Sequence, residues 1–131
     1  MHTKQQLMEL HAEHSEWQNK IRFYKEQLKN FENELSEFVK QNDSGEQMAA
    51  VEHFQNQFIL QNENLDIMRH DFKQHENEIE SIQKGQHANP NASLIGNHDL
   101  HREKLDGFEK IFHDLRTEFH SFQTEASQMA L

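Results

Sequence analysis

Leu7–Phe38, LMELHAEHSEWQNKIRFYKEQLKNFENELSEF, carries Leu7, Leu10, His14, Trp17, Ile21, Tyr24, Leu28, Phe31, Leu35 and Phe38 at alternating spacings of three and four. That alternation is the heptad pattern of a helix burying one stripe, and it runs unbroken except that a histidine stands where a leucine is expected. Phe23 lies off the stripe and is expected to widen the buried face. Upstream, Thr3 and Gln6 form a capping-box pattern that opens the helix. Downstream, Asn42-Asp43-Ser44-Gly45 is a turn, and Ser44 with Gln47 repeats the capping pattern for a second helix.

The second helix reads Val51, Phe54, Phe58, Gln61, Leu65, Met68, Phe72, His75, Ile79, Ile82 on the same alternation, with Lys84-Gly85 as its stop. Gln61 and His75 are its polar stripe positions; Gln61, opposite Leu28, reads as a register-setting residue. Gly85, Asn89-Pro90-Asn91 and Gly96 mark a loop, inside which Leu94 and Ile95 are expected to cap the open end of the core. A third helix starts near Asn97 and carries His98, His101, Leu105, Phe108, Phe112, Leu115, Phe119, Phe122, Ala126 and Met129, with Gly107 on its outer face. The expectation is an all-α, long up-down-up antiparallel three-helix bundle with coiled-coil-like heptad seams, one domain over residues 1–131, with helices at roughly 3–41, 45–84 and 97–128. A coiled-coil-like homodimer of hairpins is the second-ranked arrangement.

Composition agrees with long helices. Among 131 residues there are ten Phe but only four Gly and one Pro, so little interrupts a helix. A formal charge of −10 argues against nucleic-acid or anionic-membrane partners, which need clustered Lys and Arg. The lack of cysteine excludes disulfides, thiolate metal sites and thiol nucleophiles. Without a long apolar run or a signal-peptide pattern, the expected location is the cytoplasm. Eleven histidines are the compositional fact that points to a specific chemistry.

An antiparallel hairpin pairs residues whose numbers have a constant sum, about 89 for a turn at residues 44 to 45, which sets His14 against His75. The longer second connection gives a sum between about 176 and 180, placing His75 against His101 or within one turn of it, with His98 the alternative. Flanking charges suggest Glu76 beside Arg102 and Arg69 beside Glu109, which turns the other edge of helix 2 toward helix 1 and sets Glu13 against Glu78. Those two like charges beside three imidazoles make sense around a cation.

The expected site is therefore a metal centre built on His14, His75 and His101, with Glu13, Glu78, His11 and His98 as further candidate ligands. Residues three apart share a helix face, so His11 with His14, His75 with Glu78, and His98 with His101 each offer two ligands to one place. Imidazole with carboxylate and no sulfur suits zinc, iron or manganese, and nickel or copper by ligand type. The chain has no Glu-x-x-His pair of the di-iron carboxylate kind and no His-Glu-x-x-His. No nucleophile or phosphate loop assigns a reaction, and catalysis would need an open coordination position. The competing reading is a helical scaffold or interaction module whose histidine layer sets register or senses pH. Trp17 and Phe72 are read as core shielding that layer, and His53, His70, His113 and His120 as surface.

Overall fold

The computed structural model describes residues 4–42, 45–85 and 92–129, the last with backbone only at 92–96 and 128–129. Three helices account for nearly all of it: α1 (Lys4–Gln41), α2 (Met48–Gln83) and α3 (Ala92–Met129). The fold is an all-α three-helix bundle, up-down-up, with α2 antiparallel to its two neighbours. At ~1.5 Å rise per residue each helix is more than 50 Å long. Among the described residues no helix is long and apolar enough to cross a membrane.

Helix ends follow local chemistry. Gly45 (φ 80°) and Gly85 (φ 69°) take up left-handed conformations that a side chain would strain. At the end of α2 the Lys84 and Gly85 amides donate back to the carbonyls of Glu80 and Ile82, closing the last turn where the Lys84-Gly85 pattern puts the stop. The start of α2 lies three residues beyond the expected boundary, with Gln47 at the N-cap position. Helix α3 starts at Ala92, five residues earlier than Asn97, and Gly96 falls inside it. A glycine within a helix costs ~1 kcal/mol but does not by itself end one. The capping residues Thr3 and Ser44, the Asn89-Pro90-Asn91 turn and the side chains of Leu94 and Ile95 lie outside the described residues.

The seams form the core. On α1, the row Leu7, His14, Ile21, Leu28, Leu35 is buried along its whole length. The alternate row, Trp17, Tyr24, Phe31 and Phe38, places a large ring every seven residues toward α3. Tyr24 meets Phe108 and Phe112 at centroid distances of 5.3 and 4.7 Å, Phe31 meets Phe119 at 5.4 Å, and Phe38 meets Phe122 at 5.1 Å. Rings of this size hold α1 and α3 apart, so those two helices touch through side chains while α1 and α2 approach closely along their backbones. Each such buried ring or Leu contributes ~1.5–3 kcal/mol of burial free energy. Gln61 is buried on the α2 seam and accepts a 3.2 Å hydrogen bond from the Asn64 amide. Phe23 is about half exposed and does not widen the core.

The flanking charges correct one expectation. Arg102 pairs with Glu13 rather than Glu76, and Glu109 accepts from Lys20 (3.3 Å) and from the Tyr24 hydroxyl (2.5 Å) rather than from Arg69. Glu76 lies instead 3.8 Å from His11, and Asp66 pairs with Lys25. The two edges of α2 are thus exchanged, and the bundle has the opposite hand from the one the charges suggested. The physical reason is that both hands offer complementary pairs. The observed hand also separates Glu13 from Glu78, relieving the repulsion that the other would create.

Gly107 of α3 is exposed, and a Cβ built there would meet nothing within 4 Å. Gly107→Ala is therefore expected to stabilise the bundle by about 1 kcal/mol, read as a higher urea midpoint at unchanged slope.

Candidate metal centre

The seam histidines meet in one layer near the end of the bundle that holds the α2–α3 connection. It separates two apolar clusters. On the inner side lies the main core, beginning with Trp17 and Phe72; on the outer side Leu7 and Ile79 pack with Leu10 and Ile82. His14 and His75 stack with ring centroids 5.0 Å apart, as the hairpin register requires. His98 lies 5.2 Å from His14 and 5.4 Å from His75. All three are buried: His14 is 0%, His75 3% and His98 1% exposed. One nitrogen from each can be chosen so that all lie within 4.8 Å of one another.

The triad takes His98, the alternative member from α3, and leaves His101 just outside it, although the ring of His101 is as close to His75 as that of His98. The reason is heptad phase: His98 belongs to the deeply buried row of Leu105, Phe112 and Phe119, whereas His101 belongs to the row of Phe108 and Leu115 at the α2–α3 seam. That difference in burial was legible only once the α2–α3 register was known. His101 stays adjacent and partly exposed, its ring 5.2 Å from His75 and 5.0 Å from Phe72.

The remaining candidates lie outside the triad. Glu13 accepts a short hydrogen bond from His98 Nε2 and holds Arg102 in a bidentate pair at 2.6 and 3.0 Å, while Arg102 also bonds Asp99 at 2.7 Å. Glu78 is half exposed, with Oε2 3.9 Å from His75 Nδ1. His11 is displaced toward Glu76. The sequence pairs Arg102 with Glu76, and its place behind Glu13 follows from the hand of the bundle.

Electrostatics keep these imidazoles neutral. Burial, reinforced by the neighbouring imidazoles, pushes His14 down to about 3 and His75 to about 4. Burial also lowers His98, with Glu13 opposing, and lowers His101. The Arg102 guanidinium holds the Glu13 carboxyl below its usual range, so Glu13 is ionised at neutral pH and only accepts. His98 Nε2 must then carry the proton, which leaves a lone pair on Nδ1.

That nitrogen belongs to a larger set. His98 Nδ1, His75 Nε2, His101 Nδ1, His11 Nδ1 and both nitrogens of His14 are buried with no hydrogen-bond partner among the described residues. Each such atom is expensive to leave unpaired, at about 1–3 kcal/mol. Neutral imidazoles with free lone pairs are the protonation state a metal requires. A carboxylate behind the far nitrogen of a ligand is the common outer arrangement of metal-binding histidines; Glu13 occupies that place for His98, and Glu78 lies near it for His75. Trp17 stacks on His98 at 4.5 Å and contacts His14 at 4.9 Å, and Phe72 lies 6.0 Å from His14, so the two do shield the layer. His53, His70, His113 and His120 are exposed, as expected; His53 bonds Glu118 at 2.8 Å.

No known protein family, curated protein or solved structure matches this chain.

Proposed function

We propose that this protein is a metal-binding helical bundle in which His14, His75 and His98 hold one transition-metal ion and thereby tie three helices together at one end. The observation that supports this reading is the convergence of three buried imidazoles from three helices, each with at least one nitrogen that has no hydrogen-bond partner among the described residues, and with one nitrogen from each within 4.8 Å of the others. An ion would satisfy nitrogens that are otherwise costly to bury. With the carboxylates behind the ligands rather than among them, the donor set is all nitrogen. Zinc leads on that chemistry, iron, copper and nickel follow, and manganese, which favours oxygen, falls behind.

The test is a competition titration with zinc at neutral pH. One equivalent per chain is expected. In Glu13→Ala, which removes the acceptor behind His98, affinity is expected to fall 10–100-fold at unchanged stoichiometry. Failure to bind one equivalent would sink the proposal.

A second reading has its own support in the ring packing. His14 and His75 stack as neutral aromatics do, and a metal-free layer of this kind would fix helix register and unfold in acid. It differs from the first in one respect: zinc would leave the melting temperature unchanged.

A further inference from the structure

Resting on the metal reading above, we infer that the site is closed: His101 supplies a fourth nitrogen through Nδ1, and the ion has four imidazole ligands and no solvent ligand. Three observations converge on this. His101 Nδ1 is buried and lacks a hydrogen-bond partner among the described residues even though the residue itself is partly exposed. Its ring stands 5.2 Å from His75. It lies three residues after His98 on α3, so one helix face presents both rings to the same layer.

Geometry allows the closure. A tetrahedral ion with metal–nitrogen bonds of ~2.0–2.1 Å sets its donors about 3.3 Å apart. The triad has donors within 4.8 Å, so its rings draw in by small torsional changes. His101 lies outside that distance set and has further to move. Of the four rings it alone has solvent beside it, so it can turn inward without displacing packed core.

The surroundings favour imidazole over water in the fourth place. Trp17 and Phe72 seal the layer on one side, and Leu7, Leu10, Ile79 and Ile82 seal the other. A bound water needs two to four polar partners, and these apolar walls supply none. Among the described residues the polar groups nearest the layer are turned elsewhere: Glu13 is bonded to His98 and Arg102, Glu78 lies on the Nδ1 side of His75, away from its partnerless Nε2, and His11 Nδ1 faces Glu76 at 3.8 Å. A closed set of this kind is the arrangement of structural metal sites, whereas catalytic ones keep a place for water.

Cobalt(II), a spectroscopic stand-in for zinc, separates the outcomes. Wild-type protein titrated with cobalt is expected to give one intense tetrahedral d–d spectrum. That spectrum should be insensitive to azide and constant from about pH 7 to about pH 9, because no metal-bound water is present to titrate near neutrality. In His101→Ala cobalt still binds, more weakly, and the spectrum shifts with azide and with pH. A wild-type spectrum that responds to azide, or a His101→Ala spectrum identical to wild type, overturns closure and leaves the metal reading standing. No cobalt binding at all overturns both.

Discussion

Saturating zinc is expected to raise the melting temperature by roughly 10–20 °C, and His14→Leu is expected to abolish that rise. An ion that binds the folded chain alone stabilises it by RT ln(1 + [L]/Kd), or ~4 kcal/mol at a thousandfold excess over Kd. For a chain of 131 residues, each kcal/mol moves the midpoint by about 3–5 °C. The same substitution has a second effect of opposite sign. His14 buries two partnerless nitrogens, and leucine is the residue its heptad position ordinarily holds. Metal-free His14→Leu should therefore melt higher than the metal-free wild type, by about 1–3 kcal/mol of relieved desolvation. A structural role for His14 alone predicts neither the zinc response nor its loss. Calorimetry of both proteins, each with zinc and with chelator, reads all four values.

The second large effect is with acid. Imidazoles have an ordinary pKa near 6.5, and in the fold His14 stands at about 3 and His75 at about 4, with His98 and His101 also lowered. Between the folded and unfolded values the unfolded chain binds more protons, so stability falls as pH falls. The loss begins near pH 6.5 and grows until about pH 4 for His75 and about pH 3 for His14. At 1.36 kcal/mol per unit, these two alone remove about 3 kcal/mol each by pH 4. Glu13, whose carboxyl lies below its usual range, loses its contribution in the same direction as it protonates. Domains of this size hold ~5–15 kcal/mol in total, so the metal-free protein should unfold at room temperature between about pH 4 and pH 5. Far-ultraviolet circular dichroism against pH checks it. A helix signal unchanged down to pH 4 contradicts neutral burial of these rings. His14→Leu should shift the acid midpoint lower.

The sequence carried the architecture because the heptad is redundant. Leu7 to Phe38 repeats one instruction many times, and a single misread residue such as Phe23 does not alter the helix or its face. The α1–α2 register was equally legible, since the connection between Gln41 and Met48 is short and His14 meets His75 where a hairpin centred there puts it. The hand of the bundle was not. Arg102 can pair with Glu76 or with Glu13, and charge counting scores both as favourable; only the bidentate fit to Glu13, with Glu109 taken by Lys20 and Tyr24, separates them. The length of the second connection left His98 and His101 as alternatives beside His75, and both rings lie there. Gly96, read as part of a loop, concealed one more turn of α3. The repulsive Glu13–Glu78 couple was the visible warning. It pointed to a cation, while the structure answers it first by moving the two carboxylates apart.

That separation changes what the acidic residues do. Instead of joining the ligands, Glu13 fixes the tautomer of His98, and its own charge is already balanced by Arg102. The donors left for a metal are nitrogens, and His14 is the one with no other use for either of its own. The central claim is therefore tested most directly by metal content. Untagged wild-type and His14→Leu proteins, dialysed together against the same zinc buffer and analysed for metal per chain, should contain one ion and none. Equal contents in the two proteins, or none in the wild type, would contradict a metal held at the histidine layer.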